Sequence, residues 1–345
     1  MNVLVDDVGS FPFPIHVNKQ TFDDAYVLAR KAIFDGKEIA KDEFLVKNFC
    51  QIVIDSFRKK YRTGLDVVNY PQHYDMHKQF IESIHKAMNN GTYVANEKEA
   101  IIPEVYLINQ EAKNFYEEFG RRIALRVCVT GPMELYLKEI GTTPYKDVLL
   151  MFAETVRRFA NNAILNSKWI KTEVVSVDEP SFGFQDVSID RDTVLDVLDK
   201  AFDFHCATRQ IHLHSVSRIA NVLDAENIDV ISFEYASSPK NLERISKEML
   251  DKADKQVRIG ISRTDIDSIL AEHHDRGVAR PAAEDIVESE TTIRRRFEVA
   301  KKRLGDRMTF TGPDCGLGSW PTPEAAQTLL KRTVDAVKGS ALACC

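Results

Sequence analysis

The sequence lacks the marks of membrane and secreted proteins. No apolar run is long enough to cross a bilayer, and the first residues, MNVLVDDVGSFPFP, carry acids where a secretory signal would carry basic residues. Low-complexity segments are absent, and 44% hydrophobic with 28% charged residues is the balance of an ordinary globular chain. We therefore expect a cytoplasmic protein that has no membrane partner.

An excess of positive charge is also absent. The chain has 46 Lys and Arg against 52 Asp and Glu, for a net charge of -6. Such a chain has no overall positive field to hold phosphate backbones, so we expect no nucleic-acid partner.

Paired cysteines are missing as well. The six cysteines show no CxxC pair and no framework spacing, which favours free thiols or a metal ligand over disulfides. Cys50 and Cys128 lie in apolar patterns and are expected in the core. Cys206 is a weak ligand candidate, and the pair Cys344 and Cys345 is expected to form an exposed tail.

The chain does contain eight short β-rich runs separated by stretches with helical period. The runs cover residues 3–11, 65–69, 123–130, 173–178, 210–215, 230–235, 256–262 and 308–314. Residues 42–61 and 145–166 are typical of the amphipathic helices between them. No GxGxxG follows the first strand, so the pattern predicts an α/β fold of the (β/α)8 TIM barrel type rather than a doubly wound sheet. We expect a single barrel domain over residues 1–345, with extra helices in insertions at about 70–122 and 265–296.

Polar residues stand at the ends of these strands, where a barrel places its chemistry. His212 and His214 are two positions apart on one strand, so their side chains share a face. With Glu234 and Cys315 at later strand ends they form a ligand set typical of zinc. The simpler alternatives are buried histidines bonded to a neighbouring strand, a salt bridge for Glu234 and a core position for Cys315.

Two adjacent carboxylates, Asp178 and Glu179, end the fourth run. Neighbouring residues of a strand face opposite sides, so only one of them can serve the pocket. The other is expected to support the scaffold.

Six motifs in order resemble the catalytic domain of cobalamin-independent methionine synthase and its short, single-domain relatives. They are Val8-Gly-Ser-Phe-Pro12, Thr130-Gly-Pro132, Val177-Asp-Glu-Pro180, Gln210-Ile-His-Leu-His214, Val230-Ile-Ser-Phe-Glu234 and Pro313-Asp-Cys-Gly-Leu317. The resemblance implies a (β/α)8 barrel that transfers a methyl group to the zinc-bound thiolate of homocysteine and forms methionine. It implies His214, Glu234 and Cys315 as zinc ligands, Ser10 as a contact of the substrate carboxylate and Asp178 as the acceptor of its ammonium.

Two departures concern the site itself. The family's fourth ligand is a cysteine at the position of Val216, so the centre either uses three ligands, recruits His212 or has lost its affinity for metal. Where the family has a glutamate that contacts the substrate ammonium, the nearest counterpart is Gln72, which carries no countercharge.

Other departures concern the methyl donor. The family's proton-donating histidine, used with folate, falls near Ser262, and residues 181–185 replace a polar segment. The extra N-terminal barrel of folate-dependent enzymes is not part of the sequence. The expected donor is therefore a methylated corrinoid protein, as in the short relatives.

Two alternatives remain open. In one, the substrate is a different thiol, such as coenzyme M, and the transfer runs in either direction; the loss of the carboxylate at Gln72 favours it. In the other, the barrel is non-catalytic and binds a corrinoid protein; the missing ligand at Val216 favours it.

Overall fold

Eight parallel strands form the barrel. The computed structural model describes residues 2–185, 187–205 and 207–342, so Cys206, Cys344 and Cys345 lie outside the described residues. The strands are β1 (Leu4–Val5), β2 (Val68–Asn69), β3 (Ile123–Thr130), β4 (Ile170–Asp178), β5 (Thr208–Leu213), β6 (Val230–Glu234), β7 (Gln256–Ser262) and β8 (Met308–Pro313). Each strand pairs with the next in chain order from β2 to β8, and β8 pairs with β1. A parallel bridge between Asp6 and Val67 joins β1 to the start of β2 and closes the barrel.

Helices surround the strands. They are α1 (Lys19–Phe34), α2 (Glu43–Leu45), α3 (Gln51–Tyr61), α4 (Lys78–Met88), α5 (Pro103–Phe119), α6 (Pro132–Glu139), α7 (Lys146–Asn162), α8 (Arg191–Ala201), α9 (Ile219–Asp224), α10 (Lys240–Glu243), α11 (Lys247–Ala253), α12 (Ile266–Asp275), α13 (Glu290–Leu304) and α14 (Pro323–Leu342). A π-helical segment, Val46–Cys50, connects α2 to α3. Among the described residues, no helix is long and apolar enough to cross a membrane.

The strands are buried on both faces because helices cover the outside of the barrel and side chains fill its inside. Asp6, Arg126 and Arg258 lie in this interior and are fully buried. The Asp6 carboxylate accepts hydrogen bonds from Arg126 Nη1 at 2.7 Å and from Arg258 Nε at 2.6 Å. These bonds offset part of the cost of removing the charges from water.

Most element boundaries differ from the sequence predictions by a few residues, and two of the differences have a clear local cause. The first strand ends at Val5 rather than residue 11, because Gly9 takes a left-handed φ of 58° and the chain turns toward the barrel mouth. The helix predicted over 145–166 ends at Asn162, and Asn166 instead forms an antiparallel bridge with Lys171.

Candidate metal centre

Four side chains with metal-ligating atoms meet at the carboxyl ends of three strands. His212 is the penultimate residue of β5, His214 follows that strand, Glu234 ends β6, and Cys315 comes two positions after β8. One ligand atom from each lies within 4.8 Å of the others. The barrel therefore brings together the four residues that the sequence marks as metal ligands.

The distances within this cluster fit a small cation. Cys315 Sγ lies 3.4 Å from His214 Nε2, and the same nitrogen lies 3.5 Å from Glu234 Oε1. Tetrahedral zinc with ordinary bond lengths separates its ligand atoms by ~3.3–3.8 Å. His212 adds a donor without another partner, since its buried Nε2 makes no hydrogen bond among the described residues. The donor set of two imidazoles, a carboxylate and a thiol is therefore suited to zinc.

Burial opposes charge on these candidate ligands. Burial raises the pKa of Cys315 to about 12, and the nearby Glu234 charge raises it further. Burial also raises the pKa of Glu234 and lowers that of His212 well below its usual range. A divalent cation favours thiolate, carboxylate and neutral imidazole, which makes it the natural counterpart of such a pocket.

Two serines form hydrogen bonds with the candidate ligands. His212 Nδ1 lies 3.0 Å from Ser232 Oγ, which leaves Nε2 turned to the cluster. Ser237 Oγ donates to Glu234 Oε2 at 3.1 Å. Metal-binding histidines commonly use their second ring nitrogen in this way, and such contacts fix the direction of the ligand atom.

Asn241, at the start of α10, links two ligand strands. Its Nδ2 donates to the backbone oxygens of His214 at 2.8 Å and Glu234 at 2.9 Å. Its Oδ1 accepts from the Val216 amide at 3.4 Å. Sequence reasoning missed this residue, since an asparagine after Ser-Ser-Pro-Lys gives no sign of which carbonyls it will meet.

Asp314 links the loops after β6 and β8. Its buried carboxylate accepts from the backbone amides of Tyr235, Ala236 and Ser237 at 2.7–3.0 Å. This anchors the residues that follow Glu234 to the residue that precedes Cys315. The two candidate ligands are therefore linked through Asp314.

Val216 lies at the position where the resemblance implies a fourth ligand. Its side chain is buried and has no donor atom. The structure places His212, not Val216, among the four residues of the cluster.

The three predicted substrate contacts lie on β1, β2 and β4 loops or ends. Ser10 Oγ accepts from the Gly318 amide at 3.1 Å, and the Ser10 carbonyl accepts from Leu317 at 2.7 Å. A Cβ on Gly316 or Gly318 would meet Ser10 Oγ at 2.8 or 2.5 Å, so both glycines are required for this close approach. Ser10 is thus held against the loop that carries Cys315.

Gln72 is buried and adopts a left-handed backbone with φ of 51°. Its Oε1 lies close to Gly9, where a Cβ would meet it at 3.3 Å, and its Nε2 has no partner among the described residues. Ser10 and Gln72 are therefore neighbours across the loops of β1 and β2.

Asp178 ends β4 inside the barrel. Burial raises its pKa, while the Arg126 charge lowers it, and its Oδ1 accepts from Ser176 Oγ at 2.6 Å. Asp178 lies opposite His212 in the register of β4 and β5, so the carboxylate is next to the candidate metal cluster, and its charge raises the pKa of Cys315.

Glu179 points away from this pocket. Its carboxylate accepts from the backbone amides of Met133 at 2.9 Å and Glu134 at 2.7 Å, at the start of α6. Burial raises its pKa to about 8. The two adjacent acids therefore have different uses, with Asp178 in the pocket and Glu179 in the scaffold.

Comparisons with known proteins add to the site geometry. No family model matches the chain. A methionine synthase of Methanocaldococcus jannaschii is 26% identical over 237 residues, which are 66% of this chain and 68% of that protein.

Solved structures share the fold over nearly the whole chain. A B12-independent methionine synthase from Shewanella sp. W3-18-1, in complex with selenomethionine, matches with a TM-score of 0.62 at 14% identity and covers 99% of this chain and 98% of its own. A putative vitamin-B12 independent methionine synthase from Listeria monocytogenes gives a TM-score of 0.57 at 15% identity over 98% of both chains. A methyltransferase from Methanosarcina mazei gives 0.54 at 12% identity over 97% of this chain and 94% of its own. The chain is therefore an α/β barrel protein, and the resemblance to the cobalamin-independent methionine synthase family that its motifs indicate is confirmed.

Proposed function

We propose that this protein is a methyltransferase that moves a methyl group to the thiol of homocysteine and forms methionine. The observation that carries the proposal is the meeting of His212, His214, Glu234 and Cys315 beside Asp178, which lies opposite His212 in the register of β4 and β5. The methionine synthase of M. jannaschii and the structural neighbours support the same activity.

We propose zinc as the metal, held by His214, Glu234 and Cys315 with His212 in place of the missing cysteine. Zinc bound there would lower the pKa of the substrate thiol and keep the sulfur nucleophilic at neutral pH. The protein's part is to hold the ligands in place, through Ser232, Ser237 and Asn241. A set with one thiolate carries one negative charge fewer than the family's set with two, which strengthens the pull on an incoming thiol.

The amino-acid end of the substrate is assigned to Ser10, Gln72 and Asp178. Asp178 accepts from the substrate ammonium in a charge-assisted hydrogen bond. Ser10 uses its oxygen to accept from Gly318, so its hydroxyl hydrogen is left to donate to the substrate carboxylate. Gln72 offers the unpartnered Nε2 as a further donor.

The proposed methyl donor is a methylated corrinoid protein. Such a donor would supply the methyl group: after the thiol has released its proton to solvent, the carbon–sulfur bond would form as the carbon–cobalt bond breaks, and the electrons of the broken bond would stay with cobalt. Ser262, at the place of the family's folate-related histidine, is fully buried, and its Oγ lies 2.9 Å from Thr333 Oγ1. It therefore cannot serve as a proton donor in the pocket, which argues against folate.

A second candidate is alkyl transfer involving a thiol without an amino group, such as coenzyme M. Gln72 favours it, because an amide replaces the carboxylate that would balance an ammonium. Asp178 favours the amino-acid thiol. A panel of thiols under one donor condition separates the two, and preference for an amino-free thiol would exclude homocysteine as the substrate.

The first experiment is elemental analysis of protein purified without oxygen or chelator, with Cys315→Ala as comparison. About one zinc per chain, lost in the variant, supports the proposal. Methionine formation from homocysteine with methylcobalamin or a methylated corrinoid protein then tests the reaction. Metal-free protein that takes up no zinc with homocysteine present would exclude the mechanism.

A further inference from the structure

Gln72 has an unusual backbone for a substrate-binding residue. It is one of two non-glycine residues with positive φ among the described residues, and it is 6% exposed. L-residues other than Asn and Asp rarely adopt this conformation, and strained residues of this kind cluster at active sites. Something in the surrounding structure must hold Gln72 in place.

Glu104 is a buried carboxyl group that contacts this turn. It is the second residue of α5, more than thirty positions along the chain, and it is fully buried. Its Oε1 accepts from the His73 amide at 3.0 Å, directly after Gln72. Burial raises the pKa of Glu104 to about 7, and the hydrogen bond from the His73 amide lowers it.

Further contacts hold the other residues of the turn. The Phe11 amide donates to the Pro71 carbonyl at 2.8 Å, and His73 Nε2 lies 2.8 Å from Ser56 Oγ. Asn69 Nδ2 donates to the Gly9 carbonyl at 2.8 Å, which ties the loop of β2 to that of β1. Glu104 is the buried carboxyl group that accepts from the backbone amide next to the strained residue, and Gln72 Nε2 has no partner among the described residues.

We propose that Glu104 is a positioning residue for the amino-acid head group of the substrate. Through the His73 amide it holds the left-handed conformation of Gln72 and so directs the Gln72 carboxamide into the pocket beside Ser10. The inference rests on the proposed function, in which Gln72 binds the substrate. Glu104 touches neither the metal cluster nor the sulfur, so its effect is confined to the head group.

The test measures binding and turnover of two thiols by the zinc-loaded protein. Homocysteine has the head group, whereas β-mercaptoethanol has only the sulfur end. Glu104→Leu removes the acceptor, and we expect it to raise the KM and Kd for homocysteine about tenfold to a hundredfold, as when buried amides lose their partner. With β-mercaptoethanol as substrate, both kcat and KM stay within about twofold of the wild-type values.

Two conservative variants separate positioning from general stability. Glu104→Gln keeps an oxygen acceptor and is expected to restore homocysteine binding to within about threefold of wild type. Glu104→Asp keeps the carboxylate but shortens its reach by a methylene, and is expected to weaken homocysteine binding alone. Glu104→Asp also provides the test if the leucine variant does not fold.

A double-mutant cycle links the effect to Gln72. In a Gln72→Ala background the effect of Glu104→Asp on homocysteine affinity should disappear. If Gln72→Ala weakens homocysteine binding but neither Glu104→Leu nor Glu104→Asp does, the inference about Glu104 is overturned while the proposed function stands. Wild-type protein that binds no homocysteine would contradict the proposed function and the inference with it.

Discussion

Cys315 Sγ lies 3.4 Å from His214 Nε2, although 101 positions separate the two residues in the chain. They follow β8 and β5, which are not neighbours, because β7 and β6 lie between them in the sheet. Only the curvature of a closed barrel brings side chains from such strands together. The metal cluster therefore depends on the barrel as a whole.

Val216→Cys tests the assignment of the missing ligand. If position 216 borders the cluster as the resemblance implies, a second thiolate should increase zinc affinity. In cobalt-loaded protein it should also increase the thiolate-to-cobalt charge-transfer absorption. His212→Ala in the same background should then cost less affinity than it does in wild type. Unchanged affinity and absorption in Val216→Cys would show that this position does not face the metal.

Asn241→Ala tests the clamp between the two ligand strands. Loss of the bonds to the His214 and Glu234 carbonyls should lower zinc affinity about 10-fold to 100-fold, the usual effect of removing a residue that orients ligands. Competition with a chromogenic chelator measures it. Asn221→Ala is the matched control, since Asn221 Nδ2 makes no hydrogen bond among the described residues. An equal loss in both variants would remove the special role of Asn241.

Substitutions of the adjacent acids Asp178 and Glu179 should have different effects. Asp178→Asn should raise the KM for homocysteine about tenfold to a hundredfold, because a charge-assisted bond to the ammonium is lost. Glu179→Gln should leave this KM unchanged but lower the thermal unfolding temperature, since one of the amides at the start of α6 loses its acceptor. Steady-state kinetics and thermal melts of both variants check this. A higher KM in Glu179→Gln alone would reverse the assignment.

The strands most faithful to their sequence pattern are β3 and β7, whose bounds coincide with the predicted 123–130 and 256–262. Short runs rich in apolar and β-branched residues, with one arginine in each, have few alternative structures in an α/β chain. The predicted first strand is too long because the turn at Gly9 depends on contacts with Gln72 and Gly316, which lie far along the chain.

Some residues of the candidate site could likewise be predicted from the sequence, and others could not. His212 and His214 follow from strand alternation, and Glu234 and Cys315 follow from their places at strand ends. Asn241 and Glu104 do not follow, because each acts by meeting backbone groups of another loop. Their partners are set by the packing of the barrel rather than by any local pattern.

His73 gives a prediction for the pH dependence of stability. Burial lowers its pKa to about 3, and the charges of Lys60 and Lys19 lower it further. In the unfolded chain its pKa returns to about 6.5, so the unfolded state takes up a proton that the folded state excludes. The contribution of His73 to the free energy of unfolding is therefore fully present above pH 6.5 and is lost as the pH falls toward 3. It amounts to up to about 5 kcal/mol of unfolding free energy.

His73→Phe isolates this contribution. The new ring can keep the edge contacts with Phe13 and Phe22, while Ser56 loses its partner, so the variant should be less stable than wild type at pH 7 by about 1–3 kcal/mol. Its unfolding free energy should then fall less steeply than that of wild type between pH 6.5 and 4. Glu104, whose pKa is raised to about 7, makes the unfolding free energy change with pH in the opposite direction. Because both proteins contain Glu104, its effect cancels when the two curves are subtracted. Urea unfolding across this range measures the two curves, and parallel curves would show that His73 is protonated in the folded protein.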